Sequence, residues 1–324
     1  MAQTSQASPQ RHVRVTTTAR LHMGFIDLNG GLGRRFGSIG LALDSPATII
    51  EARVADSFTC DGPMSARVLE YARHFALGAH LPGAAHIEVR SAIPEHAGLG
   101  SGTQLGLAVG TALVRMYGLN LNVREIAAMT GRGRRSGIGI GAFESGGLLV
   151  DGGRGDDTSL PPILVRMAFP EDWRILLVFD ASTVGVHGKA EAQAFGTLPE
   201  FPALQAAHIA RLVLMQALPA VVERDLEAFG LAIGEIQRLV GDHFAQAQGG
   251  GRYISPRVAR AMAWLEAQGV RCLGQTSWGP TGFAVVQDET VALRFKGGLD
   301  DCGCGVRVEV CSARNAGSLV EAVS

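Results

Sequence analysis

Residues Ile93 to Gln104 read Ile-Pro-Glu-His-Ala-Gly-Leu-Gly-Ser-Gly-Thr-Gln and lead into an apolar stretch ending near Tyr117. In that stretch Leu105, Ala108, Val109, Ala112, Leu113 and Met116 fall on one helical face. A glycine-rich turn that opens a helix leaves backbone N–H groups unpaired, and the helix dipole adds partial positive charge to them. Such a turn holds phosphate, and glycine matters because a side chain would keep the phosphate away. The candidate phosphate- or diphosphate-binding residues are therefore Gly98, Leu99, Gly100, Ser101, Gly102, Thr103 and Gln104. The competing reading is a plain tight turn before a core helix. The common nucleotide signatures are absent: Gly188-Lys189 is followed by Ala190 rather than a hydroxyl residue, and the glycines at 98, 100 and 102 are spaced by two.

Four further stretches carry chemically useful residues. Arg20, His22 and Asp27 lie together in Arg20-Leu-His-Met-Gly-Phe-Ile-Asp-Leu-Asn-Gly-Gly31, which reads as a loop after the first strand. Arg20 suits a phosphate, and Asp27 a metal or a proton; the alternative is a solvated Arg–Asp pair. Arg132, Arg134 and Arg135 precede a glycine-rich run and suit a polyanion, or else decorate a helix end. His187, Lys189 and Glu191 sit in a glycine-bearing turn that reads more simply as surface. Ser277, Trp278 and Gly279 lie in Gly274-Gln-Thr-Ser-Trp-Gly-Pro-Thr-Gly282, where small residues around one indole suggest a lip for an aromatic ligand. No Gly-x-Ser-x-Gly elbow supports a hydrolase.

The elements that would position these residues alternate through the first half. Segments 13–19, 39–43, 48–54 and 85–91 read as strands, and 64–76 and 103–117 as helices. Asn122 and Glu125 form a capping-box start for a helix to about Thr130. Gly137 to Gly155 holds eight glycines in nineteen residues and reads as a loop plus hairpin. Pro161, Pro162 and Pro170 mark a domain joint. A strand over 173–179 follows, then helices over 204–218 and 226–245, the second capped by Asp225. A third helix is capped by Ser255-Pro256 and ended by Gly269. The remainder reads as strand, glycine-rich loop, strand at 283–287, short helix and a final strand near Val310. The result is an α+β chain with a loose tail over 1–11, an N-terminal domain over 12–165 and a C-terminal domain over 166–324.

Composition narrows the partners. The chain has 324 residues, 47% hydrophobic and 18% charged, with a net charge of −1. That balance excludes a general nucleic-acid binder. Five cysteines without framework spacing suit a reducing cytoplasm. Cys302, Cys304 and Cys311 offer a metal too few ligands for a closed site. The first residues lack the apolar core of a signal peptide, and the best apolar run, 105–114, is interrupted and too short to span a bilayer.

Pro94-x-x-x-Gly-Leu-Gly-Ser101 resembles the second motif of the GHMP superfamily of galactokinase, homoserine kinase, mevalonate kinase and phosphomevalonate kinase. Gly274–Gly282 occupies the place of its third motif. The resemblance implies a two-domain GHMP-kinase-like fold, with an N-terminal α+β domain, a C-terminal ferredoxin-like domain and the site between them. Two departures weigh against a kinase. Gly102 stands where the kinases carry a second hydroxyl residue, and Gly139 of Ser136-Gly-Ile-Gly139 stands where their catalytic aspartate falls. Without that carboxylate a kinase lacks its base or charge partner.

From about residue 12 to the C-terminus the chain resembles one branch of the superfamily, the β-ribofuranosylaminobenzene 5′-phosphate synthases. The shared residues are Arg20-Leu-His-x-Gly-x-Ile-Asp-Leu-Asn-Gly, Phe36-Gly-x-Ile-Gly-Leu-Ala, Gly98-Leu-Gly-Ser-Gly-Thr-Gln, Gln275-x-Ser-Trp-Gly-Pro-Thr and Ala313-Arg-Asn-Ala-Gly. The resemblance implies a decarboxylating phosphoribosyltransferase joining 5-phosphoribosyl 1-diphosphate to 4-aminobenzoate, with release of CO2 and diphosphate, on the way to methanopterin. It further implies a cytoplasmic homodimer aided by Mg²⁺, with no nucleotide cofactor and no membrane partner. On this reading Arg20, His22 and Asp27 are catalytic, Arg132 and Arg135 join the 98–104 loop on phosphate, and Ser277, Trp278 and Gly279 hold the aromatic acid. An ATP-dependent small-molecule kinase and a non-catalytic ligand-binding relative are the alternatives, and 4-hydroxybenzoate is the competing acceptor.

Overall fold

The computed structural model describes residues 10–183, 185 and 198–323. The 187–191 turn and most of the N-terminal tail fall outside the described residues. The first half runs β1 (His12–Thr16), β2 (Ala19–Asp27), β3 (Phe36–Leu43), β4 (Ile49–Ala55), β5 (Thr59–Asp61), α1 (Ser65–Gly78), β6 (Ala84–Ser91), α2 (Ser101–Tyr117), α3 (Val123–Met129), α4 (Ile138–Ser145), β7 (Leu148–Asp151) and β8 (Ile163–Met167). The second half runs β9 (Arg174–Phe179), α5 (Ala203–Leu212), a π-helical turn at Val213–Ala217, α6 (Leu218–Glu223), α7 (Leu226–Phe244), α8 (Pro256–Ala267), β10 (Leu273–Gln275), β11 (Gly282–Val286), α9 (Glu289–Asp301), β12 (Arg307–Ser312) and β13 (Leu319–Ala322).

Three sheets result. One has the order β13-β1-β4-β6-β5 and carries α1 to α3 on a core that includes Val15, Ile50, Phe75, Ile87 and Leu113. A second, β2-β3-β7-β8, is antiparallel. The third, β10-β11-β9-β12, is antiparallel, with α8 and α9 packed on it through Met262, Leu265 and Phe295. Numbering its strands in chain order gives 2-3-1-4, the ferredoxin-like arrangement. The halves share a core, because Leu21, Ile39 and Leu148 of the second sheet pack with Ile175, Phe229, Ile236 and Phe283.

Local signals place many boundaries. The Asn122 side chain accepts from Arg124 and Glu125 N–H while Glu125 reaches back, the capping box that the sequence indicates. Asp225 and Ser255 cap α7 and α8 through Ala228 and Val258 N–H. Three readings need correction. Arg20 to Asp27 is not a loop but most of β2, paired antiparallel with β3 with a register shift between His22 and Gly24. The Gly137–Gly155 stretch contains α4 and β7 rather than a loop and hairpin. Glycine there is a packing device: a side chain at Gly141 would press on Ile163 and Leu149 at 3.0–3.1 Å, and one at Gly137 on the Pro161 carbonyl at 2.9 Å. A buried helix gains from such close approach what its propensity lacks. The strand near Val310 is also not the final one. β13 returns to pair with β1, so the last strand belongs to the first half's sheet.

Among the described residues, the run Ala203–Glu223 is long and apolar enough to cross a membrane by length and composition. It carries Ala206, Ile209, Ala217 and Val221 into the shared core, as a surface helix of a folded domain does.

Candidate active site

Two glycine-rich loops meet back to back where the halves join. Gly98 has φ +77°, and a β-carbon there would collide with the Thr276 carbonyl and stand 2.8 Å from Gly279 Cα. A β-carbon at Gly279 would in turn drive into the Ala97–Gly98 backbone. These two glycines thus serve loop-to-loop contact rather than phosphate access. Thr276 Oγ donates to the Gly98 carbonyl at 2.9 Å and accepts from His22 N–H at 3.0 Å, linking both loops to β2. Arg20 Nη1 donates to the same Gly98 carbonyl, and Arg20 N–H to the Leu99 carbonyl at 3.1 Å. Gly100, at φ +86°, leaves space for the Arg20 side chain, whose Cγ would lie 3.1 Å from an added β-carbon. Arg20 is therefore a strut of the loop as well as a charge beside it.

The start of α2 gathers positive charge. Ser101 and Gly102 are buried in its first turn. A β-carbon at Gly102 would run into Arg132 Nη2 and stand 2.8 Å from Arg67 Nη2. Both guanidiniums lie over the Tyr71 ring, at 5.6 and 5.8 Å from its centroid. Arg67 also donates to Glu95 at 2.8 Å, whereas Arg132 Nε is buried with no hydrogen-bond partner among the described residues. Burial lowers the Arg132 pKa; Tyr71 opposes this and the neighbouring Arg67 adds to it. Two cations at the positive end of a helix give this place the electrostatics that suit an anion.

The other members of the 98–104 stretch have separate duties. Leu99 is a core residue. Gln104 Nε2 donates to the Gly139 carbonyl at 2.7 Å, tying α2 to α4. Thr103 faces Gly139, where an added β-carbon would stand 3.1 Å from its methyl. Arg135 is half-buried in the loop between α3 and α4, and Arg134 is exposed.

Beside this lies a pocket lined by His22, Phe25, Gln237, Phe244, Arg252 and Trp278, among others. His22 meets Phe25 edge-on at 4.6 Å, and Phe244 meets Trp278 edge-on at 4.8 Å. Trp278 does not stand among small residues in space: it is 7% exposed and belongs to the shared core, with part of its surface on the pocket. Ser277, at φ 57°, donates its N–H to the His22 carbonyl at 3.2 Å. Burial, with Arg20 nearby, lowers the His22 pKa to about 3, so the ring is neutral near pH 7.

The structure does not bring Asp27 to this group. Arg20 and Asp27 sit at opposite ends of β2, roughly 23 Å apart at ~3.3 Å per residue. Asp27 Oδ1 accepts from Asn29 and Gly30 N–H at 2.8 and 2.9 Å, a turn-forming role. Among the described residues no group of three His, Cys, Asp or Glu side chains could hold a metal, so the residues present supply no cage for Mg²⁺. The cysteine trio is not a site either: Cys302 and Cys304 pair as a disulfide, and Cys311 is buried in the shared core. Arg67, Tyr71, Phe25 and Phe244 escaped the sequence reading. Of these only Phe25 lay inside a stretch singled out for its chemistry.

The fold and the joined glycine loops define a GHMP-type protein. Residues 65–147 match the GHMP kinases N terminal domain and residues 217–301 the GHMP kinases C terminal domain. Homoserine kinase from Cytophaga hutchinsonii shares the fold at TM-score 0.69 and 17% identity, covering 97% of this chain and 98% of that one. Mevalonate diphosphate decarboxylase from Staphylococcus aureus does so at 0.68 and 15%, covering 98% and 99%. Much nearer in sequence is the β-ribofuranosylphenol 5′-phosphate synthase of Archaeoglobus fulgidus, 36% identical over 95% of this chain and 99% of its own. The Methanothermobacter thermautotrophicus protein of the same name is 30% identical over 94% and 98%. The chain belongs to this family of 5′-phosphate synthases within the GHMP superfamily.

Proposed function

We propose that the chain is a decarboxylating phosphoribosyltransferase that joins 5-phosphoribosyl 1-diphosphate to a para-substituted benzoate, releasing diphosphate and CO2. The observation that carries this reading is the pair of guanidiniums, Arg67 and Arg132, converging on Gly102 at the start of α2. Loss of diphosphate leaves a ribosyl centre with oxocarbenium character, and the site must hold the departing charge while keeping water away. The α2 start with Arg67 and Arg132 takes the diphosphate, and Arg20 sets the loop that presents it. The adjoining pocket of His22, Phe25, Phe244 and Trp278 takes the aromatic acid. The ring attacks through its carboxyl-bearing carbon, and CO2 loss restores aromaticity.

Gly139 supports this reading over phosphoryl transfer from ATP, since its α-carbon faces Thr103 and offers no carboxylate. The sequence resemblance favours 4-aminobenzoate as acceptor, while the relatives' names speak of a phenol product and so of 4-hydroxybenzoate. The family resemblance also implies Mg²⁺, which a diphosphate substrate carries with few protein ligands. A homodimer is supported by the exposed apolar stripe of Leu204, Leu214, Met215 and Val222 along the Ala203–Glu223 run. Diphosphate and CO2 release are to be followed with each acid, alongside calorimetry with ATP. Release with one or both acids is expected. Tight ATP binding with no detectable binding of the ribosyl diphosphate would refute the proposal.

A further inference from the structure

The two guanidiniums at the start of α2 have a carboxylate in reach. Arg67 Nη1 donates to Glu95 Oε1 at 2.8 Å, and Arg67 Nε donates to Tyr71 Oη at 3.2 Å. Arg67 Nη2 is the nitrogen that stands over Gly102. Arg132 shares both the Tyr71 ring and the space over Gly102. Burial lowers the Arg132 pKa and repulsion from Arg67 lowers it further, as for two like charges held together. Glu70, exposed on α1, attracts Arg132 without a hydrogen bond to it among the described residues.

Like charges held this close call for a counterion. Glu95 supplies it from the same loop that forms the site, three positions before Gly98. Ile93 and Ala97, two positions to either side, are core residues, so the backbone cannot carry Glu95 away. Its side chain is 42% exposed and has room to swing into solvent. A carboxylate tethered so near competes with any anion that arrives, as an intramolecular ligand does. Among the described residues Glu95 reaches only Arg67, whereas diphosphate carries more charge and enough oxygens to engage both guanidiniums.

We propose that Glu95 is the resident counterion of this site: it holds Arg67 when no anion is bound, yields it to diphosphate, and takes it back as diphosphate leaves. The identity of the anion rests on the function proposed above; the competition between Glu95 and an anion for Arg67 does not. Diphosphate is the leaving group of the ribosyl donor and also a product. Two guanidiniums with no competitor would keep it after the reaction. With Glu95 beside them, release replaces one charge-assisted hydrogen bond of Arg67 by another, and the guanidinium is never left bare.

The test is calorimetric titration of the full chain with diphosphate, with and without Mg²⁺. Glu95→Gln should bind diphosphate roughly tenfold more tightly than the wild type, and the gain should shrink as salt is raised. Glu95→Ala serves as the second variant, because a glutamine oxygen can still accept from Arg67. Glu70→Gln should gain less. Damage to the loop would weaken binding, so a purely structural Glu95 cannot give the expected result. In turnover, inhibition by added diphosphate should strengthen in both Glu95 variants. Unchanged or weaker diphosphate binding in both, or an equal gain in Glu70→Gln, overturns the proposal. Weaker binding confined to solutions with Mg²⁺ would make Glu95 a ligand of the metal and overturns it as well. If diphosphate binding tightens as expected but the wild type turns over neither acid, the functional reading fails and the counterion survives.

Discussion

Alanine at Gly98, Gly100 and Gly102 should have three different effects, because the three glycines answer to different constraints. At Gly98 the left-handed backbone costs a side chain about 1–2 kcal/mol. The new β-carbon also meets backbone of Thr276 and Gly279, which cannot rotate away, and overpacking of that kind adds about 1–3 kcal/mol. Gly98→Ala should thus lose about 2–5 kcal/mol, a fall in Tm on the order of 10 °C. At Gly100 the backbone term is the same, but the neighbour is the flexible Arg20 side chain at 3.1 Å, so the loss should stay near about 1–2 kcal/mol. Gly102 lies within α2, where alanine gains roughly 1 kcal/mol of helix propensity. Its β-carbon displaces only the guanidinium ends of Arg132 and Arg67. Gly102→Ala should therefore fold as well as the wild type and bind diphosphate more weakly, since each charge-assisted hydrogen bond lost is worth about 1.5–3 kcal/mol, roughly tenfold or more in affinity. Scanning calorimetry and titration with diphosphate and with the ribosyl diphosphate measure both. Equal losses of Tm in all three variants, or undiminished diphosphate binding by Gly102→Ala, would refute the assignment of the α2 start as the anion site.

Arg20→Ala should cost about 1.5–3 kcal/mol of stability, because its guanidinium braces the Gly98 carbonyl, and should lower turnover by roughly a hundredfold or more; a folded variant with near-normal turnover would remove Arg20 from the reaction. Trp278→Ala opens a core position and should lose about 3–5 kcal/mol, so the informative variant is Trp278→Phe, which should raise KM for the aromatic acid more than KM for the ribosyl diphosphate; equal rises would mark a purely structural indole. The pH dependence of stability should show His22. Its pKa is about 3 in the folded protein against about 6.5 when unfolded, so its contribution is present above about pH 6.5 and is lost as pH falls toward 3, at about 1.4 kcal/mol per unit. His243, lowered by burial as well, acts in the same direction, so the measurement is the difference between the wild type and His22→Gln in denaturant titrations. Parallel curves would show that His22 is not buried as described.

The legible parts of this fold were those written in short-range chemistry. The periodicity of 105–116 marked α2, and Asn122, Asp225 and Ser255 marked helix starts that the structure reproduces with side-chain caps. The glycine loop and the Gly274–Gly282 segment stood out because so many residues without bulk must answer to something close by. The failures also have a physical origin. Glycine lowers helix propensity, so α4 was invisible until Ile163, Leu149 and Pro161 were seen pressing on its glycines. The polar residues of Arg20–Asp27 suggested a loop, whereas pairing with β3 made them a strand that carries Arg20 and Asp27 to opposite ends.

What the sequence alone determined is the α+β character, most element boundaries, the family and the loop at 98–102 as a place where backbone must be approached closely. Tertiary structure decided what approaches it. Gly98 meets Gly279 across 181 positions, Arg67 and Arg132 meet over Gly102 from two different segments, and Ser38 meets the His22 ring from the neighbouring strand. Periods and caps are set by neighbours within a turn, so they can be read along the chain. Contacts between distant segments are set by how sheets and helices pack, and no local spacing carries that information.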